Sequence, residues 1–554
     1  DYVVCSTDKE KAELLKNYFE SVFTKENSPI LPTLRDKCNS SLTSVSIDKD
    51  VVLKCLNSLS VTKSMGPDEL HPRILKELSG EIAEFVTSLF QESIDIGCVP
   101  SLWKKAIVTA IHKKGKKTEP SNYRPISLTC VLCKVLEGIL RTHILDHLQK
   151  NDLLCSEQYG FIPKRSATLQ LLNVFDKWMT VLDKGGHIDV IYCDIMKAFD
   201  QVPVDRLLIK ARSLGLRGNL LAWISSFLKD RTMSVVINGE RSSEGNVTSG
   251  VPQGSVLGPL LFVIFINDMP EGILSQIMMF ADDTKLFREI VHEDDHKTLQ
   301  KDLDLLSNWS KDWKLKFHPE KCFIMHLGRS NPKADYHLNG HTLHKSTIEK
   351  DLRILVDDKL RFEDHIISKI SKARQMWGMI RRSFIYIDCE MFTYLFKSLV
   401  RPHLEYANNI WSPQSKGLIK DIESVQRQAT KQVPGLEKLS YQERLIKLRL
   451  PTLNHRRRRG DLIEMFKIVR GHYDPKCVPS LEHYPEDSTT RGHEYRLKRP
   501  YSSTNLGQGR FMSRVIADWN ALPNHVVTST TVNTFKNRLD RHFEHDPSVY
   551  DSDI

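Results

Sequence analysis

The sequence has no apolar run of 18 residues, so no transmembrane helix is predicted and no membrane partner is expected. Its 11 cysteines are scattered, and Cys130 and Cys133 form the only close pair. Because no second pair of cysteines or histidines stands at zinc spacing, we expect two reduced cysteines rather than a zinc site. Scattered, unpaired thiols are typical of a reducing, intracellular compartment.

The chain also lacks an initiator methionine and a signal peptide, and we expect it to be a segment of a longer protein. Its 554 residues, 40% apolar and 27% charged, are typical of several domains or one large multi-lobed enzyme. The net charge of +10 is uneven, because residues 431–520 hold 18 Lys and Arg against 10 Asp and Glu. This basic stretch favours a polyanionic partner, nucleic acid first, although charge alone is more often a solvated face.

Residues 280–283 (Phe-Ala-Asp-Asp) carry the most informative pattern in the chain. They stand between two apolar runs, which predicts a β-hairpin with Asp282 and Asp283 at its tip. Convergent carboxylates in an apolar setting repel each other, and bound Mg²⁺, or Mn²⁺ in its place, would relieve that repulsion. The alternative is a solvated Asp-Asp turn, since the same dipeptide recurs at 294–295 and 357–358.

A third acid strengthens the metal hypothesis. Residues 190–195 are an apolar run typical of a β-strand, with Asp194 inside it. An acid in such a run is costly to bury unless it is paired or ligates a metal. One carboxylate from a strand and two from a hairpin satisfy a two-metal phosphoryl-transfer site, in which one ion activates the attacking hydroxyl and the other steadies the leaving pyrophosphate. Nearby Asp200 and Asp205 are expected to be a helix cap and a surface acid.

Hydrophobic periodicity divides the chain into a mixed first part and a helical second part. Up to about residue 330, strands at 106–111, 190–195 and 233–238 alternate irregularly with helices, which is an α+β pattern. Residues 25–46 are rich in Pro, Ser, Thr and Asn and indicate a linker. Helices are predicted at 8–24, 70–95, 130–149, 165–183, 205–229, 364–383, 388–401, 415–432 and 440–449, with another after the arginine run at 456–459.

Residues 248–260 form a glycine- and proline-rich element before a long apolar run. Their spacing fits neither a Walker A loop nor a dinucleotide-binding fingerprint. Glycines allow a backbone to approach a ligand closely, and a helix that starts after the turn offers free N–H groups to phosphate. The alternative is a structural turn before a buried helix.

Together these segments resemble the reverse transcriptases of non-LTR (LINE-type) retrotransposons, in particular the branch that contains the jockey and chicken-repeat elements. The resemblance runs in order from about residue 8 to about residue 530. Each motif alone is weak, but six or more in the right order are specific. The motifs are residues 65–68, 122–128, 158–161, 194–200, 250–259, 280–283 and 519–523.

The resemblance implies an α+β, right-hand polymerase with fingers, palm and thumb, followed by a mainly helical, basic C-terminal region. The implied parts are an N-terminal helix and linker at 1–60, fingers and palm at 61–345, a primer-grip hairpin and helical thumb at 346–450, and the basic C-terminal region at 451–554. Asp194, Asp282 and Asp283 would be the catalytic metal ligands. Ile195 would lend its backbone carbonyl to a metal ion.

Four further residues match positions that contact the incoming nucleotide in the family. Arg124 would grip the triphosphate, which Arg can bind bidentately. Phe199 would lie under the sugar, where its ring would clash with a 2′-hydroxyl and favour deoxynucleotides. Gln253 and Gly254 match the loop that contacts the nucleotide and the template. Without the resemblance, Phe199 is equally well explained as a core phenylalanine.

Several basic residues are candidates for nucleic-acid contact. Lys114 and Lys117 lie in the same basic region as Arg124, with a solvated loop as the alternative. Lys321 matches a palm lysine that would protonate pyrophosphate, with a surface lysine as the alternative. An arginine run is also predicted to contact RNA or DNA, although it could be a nuclear import signal or a solvated helix start; it comprises Arg456, Arg457, Arg458 and Arg459.

One residue departs from the family pattern. The family usually has a Leu-Gly step in the primer-gripping hairpin, whereas residues 351–355 place Arg353 where Gly is expected. If this position needs a positive φ, Arg costs about 1 kcal/mol or more relative to Gly. Such strain could weaken primer placement without affecting the metal ligands.

The resemblance implies an RNA-directed DNA polymerase that extends a DNA 3′-hydroxyl on an RNA template, with dNTPs and Mg²⁺, in target-primed retrotransposition. The alternatives are a catalytically impaired, RNA-binding remnant and an RNA-directed RNA polymerase, against which Phe199 argues. Elements of this branch also carry an upstream endonuclease of the apurinic type, which we expect to be missing from this chain. The expected localisation is nuclear and cytoplasmic, and nuclear for integration.

Overall fold

A computed structural model describes residues 5–26, 31–484 and 492–551 and has the mixed helix-and-sheet content that the sequence predicts. The α-helices in these residues are α1 (Asp8–Val22), α2 (Lys49–Asn57), α3 (Pro72–Glu77), α4 (Ser79–Ile96), α5 (Val131–Lys150), α6 (Ala167–Asp183), α7 (Ala198–Gln201), α8 (Val204–Ser213), α9 (Gly218–Leu228), α10 (Gly258–Ile266), α11 (Glu293–Trp313), α12 (Glu363–Ser383), α13 (Cys389–Leu395), α14 (Pro402–Glu405), α15 (Asn408–Trp411), α16 (Lys416–Lys431), α17 (Tyr441–Leu448), α18 (Leu453–Val469), α19 (Asn505–Gly509), α20 (Phe511–Asn520), α21 (Asn524–Val527) and α22 (Val532–His542).

The strands form two larger sheets and two small hairpins. They are β1 (Lys105–His112), β2 (Tyr123–Leu128), β3 (Ile188–Cys193), β4 (Arg231–Ile237), β5 (Glu240–Arg241), β6 (Gly245–Val247), β7 (Gln276–Phe280), β8 (Asp283–Glu289), β9 (Phe323–Leu327), β10 (His337–Leu338), β11 (His341–Thr342), β12 (His344–Lys345), β13 (Ile348–Asp351) and β14 (Ile354–Asp357). All three strands predicted from the first part of the sequence are confirmed.

The first sheet has the order β2-β1-β4-β5, with β6 also paired to β4. β1 pairs antiparallel with β2 and parallel with β4. Helix α1 packs on this sheet, and it starts at a capping box in which Thr7 and Glu10 satisfy each other's backbone N–H groups. The apolar face of α1 contributes Ala12, Leu15 and Phe19 to a small core beneath the sheet.

The second, central sheet has the order β12-β9-β3-β8-β7. β3 lies in the middle and pairs antiparallel with both β8 and β9. Its apolar residues are buried on both faces, because helices cover the sheet on both sides. The residue that follows β3 is Asp194, so the central sheet determines where the first candidate metal ligand lies.

Two predicted long helices are each divided in two. The segment predicted as one helix at 205–229 forms α8 and α9, because Gly215 adopts a φ of +86° between them. The segment predicted at 70–95 is interrupted at Leu78, where α3 ends and α4 begins. The helix predicted at 388–401 is α13, which continues as a π-helix over Phe396–Val400.

The arginine run lies within a helix and not before one, so its predicted position was wrong. Helix α18 begins at Leu453, where the Thr452 hydroxyl accepts the backbone N–H of His455 at 3.1 Å. All four arginines therefore stand in the first two turns of α18. Periodicity missed this because a run of four charged residues has no apolar stripe.

Two large cores hold the described residues together. The first core gathers residues between Val45 and Leu343, and the second gathers residues between Tyr159 and Phe543. The second core thus includes residues of α6, which precedes the central sheet, and residues of the last helices of the chain. Within the described residues, no helix is both long and apolar enough to cross a bilayer.

Candidate active site

The two middle strands of the central sheet bring three predicted ligands to one end. The β3–β8 ladder ends where Asp194 leaves β3 and Asp283 begins β8. In the hairpin β7–β8, which we call the acidic hairpin, Phe280 pairs with Asp283. Ala281 and Asp282 are therefore its two-residue turn. The sequence prediction of a hairpin with both acids at its tip is confirmed.

The three carboxylates form one electrostatic cluster. Burial raises the pKa of Asp282, and the negative charge of Asp194 raises this pKa further. Burial also raises the pKa of Asp283 to about 6, with added repulsion from Asp282, Asp351 and Asp194. Carboxylates influence one another in this way only when they are close together. The arrangement stores like-charge repulsion that a cation or a proton would relieve.

The donor chemistry of this cluster fits a hard divalent cation. In the part of the chain that the structure describes, no three Asp, Glu, His or Cys side chains stand close enough together to form a complete metal site on their own. Mg²⁺ does not need one, because it is commonly held by one or two carboxylates and completes its shell with water and substrate phosphate. Asp194, Asp282 and Asp283 offer only carboxylate oxygens, and their mutual repulsion favours such an ion.

The backbone carbonyl of Ile195 faces the side of the strand on which β8 lies. Ile195 bridges Phe317, flanked by bonds from Met196 N–H to Lys316 O at 2.9 Å and from His318 N–H to Asp194 O at 2.8 Å. In such a widely spaced antiparallel pair, the N–H and C=O of the central residue point away from the partner. The geometry is therefore compatible with the predicted carbonyl ligand.

Cations from the first sheet face the carboxylates. Arg124 pairs with Ile111 across β1–β2, and Lys113 follows Ile111 on the same face two residues later. The positive charges of Arg124 and Lys113 both oppose the rise in the pKa of Asp282. Sequence reasoning did not single out Lys113, although strand alternation measured from Arg124 identifies it.

The other predicted lysines differ in their distance from the acids. Lys321 Nζ lies 3.8 Å from Asp194 Oδ2, so this lysine, although its side chain is 56% exposed, stands beside the first candidate metal ligand. Lys114 and Lys117 are exposed in the loop between β1 and β2. The Tyr123 hydroxyl donates to the backbone carbonyl of Lys117 at 2.9 Å. Nucleic-acid contact by Lys114 and Lys117 remains a prediction.

The glycine-rich loop is fastened to the first sheet at Gly254. Ser127 N–H donates to the carbonyl of Gln253 at 2.7 Å. Gly254 has a φ of +119°, and a Cβ at this position would lie 2.4 Å from the carbonyl oxygen of Ser127. Only glycine permits this approach. The loop is therefore held beside the strand that carries Arg124.

Asp200 orients the side chain of Gln253, and its predicted role as a cap was wrong. Gln253 Nε2 donates to Asp200 Oδ1 at 2.8 Å. Asp200 lies within α7, and burial raises the pKa of its carboxyl to about 6. Asp205, in contrast, pairs with Lys229 at 2.7 Å on the surface, as expected.

Phe199 packs on the first core but keeps part of its ring exposed. Its ring stacks on Phe262 with centroids 4.5 Å apart and meets Phe161 edge-on at 6.1 Å. Its carbonyl accepts the N–H of Val251 at 2.8 Å, which joins it to the glycine-rich loop. Phe199 is thus packed against the first core and stays partly accessible beside the glycine-rich loop.

Glu137, a residue that sequence reasoning missed, supports the glycine-rich loop from below. This fully buried carboxylate on α5 accepts the N–H groups of Val256 and Leu257 at 2.7 and 2.8 Å. Those N–H groups open helix α10, so the carboxylate acts as its anionic cap. Burial raises the pKa of Glu137.

Gln158 supports the acidic hairpin and gives a physical reason for the motif at 158–161. Its Oε1 accepts the N–H of Ala281 at 2.8 Å and of Gly160 at 2.7 Å. Ala281 has a φ of +55°, and a Cβ on Gly160 would lie 2.5 Å from the nitrogen of Ala281. A buried glutamine and a glycine therefore hold the strained tip in place.

The hairpin β13–β14, which we call the second hairpin, has a two-residue turn at Leu352 and Arg353. Asp351 pairs with Ile354, and the turn residues have φ values of +43° and +73°. The expectation that Arg353 occupies a position needing a positive φ is confirmed. The Tyr406 hydroxyl donates to the carbonyl of Leu352 at 3.0 Å and ties the turn to the helices that follow.

The four arginines of α18 bind acids of α14 and of the last part of the chain and one amide of α18 itself. Arg456 pairs with Glu405, and Arg457 is buried and donates to Asn454 at 3.1 Å. Arg458 binds Asp518 at 2.8 Å and Asp546 at 3.1 Å, and Arg459 binds Asp540. These contacts show a structural use of the run, and its contact with RNA or DNA remains an untested prediction.

Comparisons with known proteins agree with the geometry. A family model described as "Reverse transcriptase (RNA-dependent DNA polymerase)" matches residues 111–363. The chain is 29% identical to the RNA-directed DNA polymerase from mobile element jockey of Drosophila melanogaster, over 78% of this chain and 49% of the relative. It is 28% identical to the probable RNA-directed DNA polymerase from transposon X-element, over 68% of this chain and 43% of the relative, and 26% identical to that from transposon BS, over 78% and 50%, both from the same species. The chain thus spans about half the length of these relatives.

Proposed function

Because residues 111–363 form a reverse transcriptase domain, we propose that this chain is an RNA-directed DNA polymerase of a non-LTR retrotransposon. It would transfer nucleotides from dNTPs to a primer 3′-hydroxyl on an RNA template during target-primed retrotransposition. The observation that carries the proposal is the convergence of Asp194, Asp282 and Asp283 at one end of the central sheet. Nucleotidyl transfer depends on positioning and charge stabilisation, which such a cluster provides.

In this proposal the two sheets and the helices have separate tasks. The central sheet at 188–345 is the palm, and the first sheet at 105–247 is the fingers. The second hairpin is the primer grip, and the helices from α12 to α17 are the thumb. Relatives named as mobile-element polymerases support this assignment, as does the family model, whose match covers the central sheet and all of the first sheet except most of β1.

Mg²⁺, with Mn²⁺ as a substitute, is the proposed cofactor, held by Asp194, Asp282, Asp283 and the carbonyl of Ile195. When bound, it would supply Lewis-acid stabilisation of the attacking and leaving oxygens. Lys321, 3.8 Å from Asp194, is placed to give a proton to the departing pyrophosphate. Arg124 and Lys113 would neutralise the triphosphate that the carboxylates alone would repel.

Selection of deoxynucleotides is proposed for the exposed part of Phe199. The stack on Phe262 fixes its ring plane, and the bond to Val251 fixes its distance from the glycine-rich loop. A fixed ring can exclude a 2′-hydroxyl more effectively than a mobile one, because it does not yield. Gln253, held by Asp200, would contact the base pair that forms there.

The first test is primer extension on an RNA template with Mg²⁺ and dNTPs. We expect the wild type to extend the primer and Asp282→Ala to lose at least about 1,000-fold in rate, as expected when electrostatic stabilisation of the reacting charge is removed. The matched control is Asp294→Ala, because Asp294 is an exposed acid that begins another Asp-Asp dipeptide, on α11. Extension by Asp282→Ala at the wild-type rate would refute the assignment.

A catalytically impaired, RNA-binding remnant is the weaker candidate. The strain at Arg353 favours it, but the carboxylate cluster and the glycine-rich loop are both complete. A remnant would bind RNA with an affinity that falls steeply with salt yet would extend no primer. For the active enzyme, which must meet both its RNA and its target DNA, we propose a distribution between cytoplasm and nucleus.

A further inference from the structure

A buried ion pair links the acidic hairpin to the second hairpin. Lys285 Nζ contacts Asp351 Oδ2, and the two side chains are only 3% and 4% exposed. Lys285 stands on β8 two residues after Asp283, so it shares that residue's face of the strand. Asp351 ends β13 directly before the strained turn. One contact thus joins the strand of the catalytic acid to the base of the proposed primer grip.

Within the described residues, no backbone ladder joins the strands of the second hairpin to the central sheet, although the segment directly before it is held there, since Ser346 N–H donates to Ile324 O at 2.8 Å. The second hairpin is a separate two-stranded sheet that pairs with no strand of the central sheet. Two further polar ties run toward the helices, from the Tyr406 hydroxyl to Leu352 O at 3.0 Å and from Leu355 N–H to His365 Nδ1 at 3.0 Å. The Lys285–Asp351 pair is thus a polar link between the turn end of the second hairpin and the strand that carries Asp283.

Stability alone does not account for a pair placed here. Two charges taken from water incur a desolvation penalty that their attraction often only offsets, so apolar residues of similar size can replace a buried pair without loss. A buried pair does, however, require one geometry, because each charge needs its partner. The pair therefore fixes the position of the second hairpin, since sliding the hairpin along β8 would separate the two charges.

The charges around the turn of the second hairpin also favour a role in holding the primer. Burial lowers the pKa of Lys369 on α12, and the nearby positive charges of Lys350 and Arg353 lower it further. The turn thus presents positive charge, whereas Asp351 carries a negative charge directly beneath it. Lys285 neutralises that carboxylate, so a phosphate backbone on the turn meets a basic surface only.

We propose that Lys285 and Asp351 form a positioning pair that sets the primer 3′ end at the correct distance from Asp283. The inference rests on the proposed polymerase function and names how the same site is aligned. The pair touches no reacting atom. Its loss is expected to change the placement of the primer terminus more than the affinity for the primer–template duplex, because many other basic residues contribute to that affinity.

The decisive variant is the apolar double substitution Lys285→Met with Asp351→Leu, compared with Lys285→Met and Asp351→Asn. Single-turnover extension, duplex affinity and melting temperature are measured for each. We expect Lys285→Met to lower all three, because it leaves a buried charge unpaired. The double variant should recover the melting temperature and the duplex affinity, yet extend at least about 30-fold more slowly than wild type, of the order expected for slight misplacement of reactants.

Two comparisons separate positioning from general structure. Lys285→Arg, which keeps the charge, should retain extension within a few-fold of wild type, and Lys297→Met removes an exposed pair on α11 as the matched control. Full recovery of the extension rate in the double variant, together with its stability, would overturn the proposal. A purely structural pair predicts that recovery.

A second readout does not depend on catalysis. A primer ending in 2-aminopurine reports by its fluorescence how the terminal base is seated in the complex. We expect the double variant to bind this primer–template as tightly as wild type but with an altered signal. An unchanged signal overturns the positioning pair, and absence of duplex binding by the wild type overturns it together with the proposed function. A wild type that binds and shows the signal difference yet extends no primer would refute the proposed function alone.

Discussion

The acidic hairpin and the second hairpin are built alike and held differently. Each closes with a two-residue turn in which a residue other than glycine adopts a positive φ, Ala281 at +55° in one and Leu352 and Arg353 at +43° and +73° in the other. Such positions cost free energy and persist only where surrounding groups hold them. The difference lies in those groups and in the charge that each turn presents.

Both turns are held at their backbone by a distant side chain, and the second hairpin is held at its base as well by an ion pair. Gln158, a neutral buried amide, binds the turn nitrogen of Ala281 directly. The second turn is tied through Tyr406 and through the charge of Asp351 one residue before it. The neutral amide of Gln158 leaves the two acids free to bind a cation, whereas the Lys285–Asp351 ion pair neutralises the acid beside a turn that must remain basic. The comparison teaches that strain at both tips is supported from outside the hairpins.

The largest expected effect comes from removing the hydrogen-bond acceptor that holds the turn of the acidic hairpin. In Gln158→Leu the N–H groups of Ala281 and Gly160 lose their acceptor while they stay buried, at a cost of about 2 kcal/mol in unfolding free energy. Because the turn carries Asp282, we expect the extension rate to fall about 100-fold. Chemical denaturation and primer extension measure the two effects.

The matched control for Gln158→Leu is Gln149→Leu, since Gln149 is an exposed glutamine on α5. It should change neither quantity measurably. A Gln158→Leu protein that extends primers normally would break the comparison, because the acidic turn would then hold its shape without the external grip.

A smaller effect concerns the proton that competes with the cation at Asp283. The pKa of this carboxyl is raised to about 6, so the group is protonated below that pH and ionised above it. Only the ionised form binds Mg²⁺, so the metal requirement must rise as the pH falls through 6. With about a quarter of the carboxyl ionised at pH 5.5, the Mg²⁺ concentration for half-maximal extension should be about fourfold higher than at pH 7.5. Equal requirements at the two pH values would contradict the shared cluster.

The smallest effect sharpens the description of the second turn. Arg353→Gly removes the strain of a positive φ, while the glycine adds freedom to the unfolded chain. We expect a net gain of about 0.5 kcal/mol in unfolding free energy, measured by denaturation. Arg382→Gly in the last turn of α12 is the control with the opposite sign, because glycine destabilises a helix. A loss of stability in Arg353→Gly would show that the arginine side chain makes up for its backbone strain.

Much of the site could be predicted because its information is local. The apolar runs around Asp282 and Asp283 predicted a hairpin with the acids at its tip, which β7 and β8 form. In the structure β8 also pairs with β3, up to Thr284, the residue after Asp283. A missing glycine predicted the strained backbone of Arg353. In each case the property follows from neighbouring residues and from backbone sterics.

The residues that support the site could not be found in the same way. Glu137, Gln158 and Lys285 act on partners between 66 and 123 residues away in the chain. No local pattern connects such distant groups, because tertiary packing alone brings them together. The prediction for Asp200 was wrong for the same reason, since its burial depends on Gln253 and the loop that carries it.

The core from Tyr159 to Phe543 has a consequence for how the protein is made. The hydroxyl of Tyr159 and the side chain of Asn173 both donate to the carbonyl of Cys477, and Arg165 pairs with Asp474 at 2.8 Å. The segment at 159–173, which supports the acidic hairpin, therefore lacks these partners until residues about 200 positions after that hairpin are synthesised. At about 5–20 residues per second this is a delay of roughly 10 to 40 s on the ribosome. We expect nascent chains to extend no primer until residues 474–477 have been synthesised.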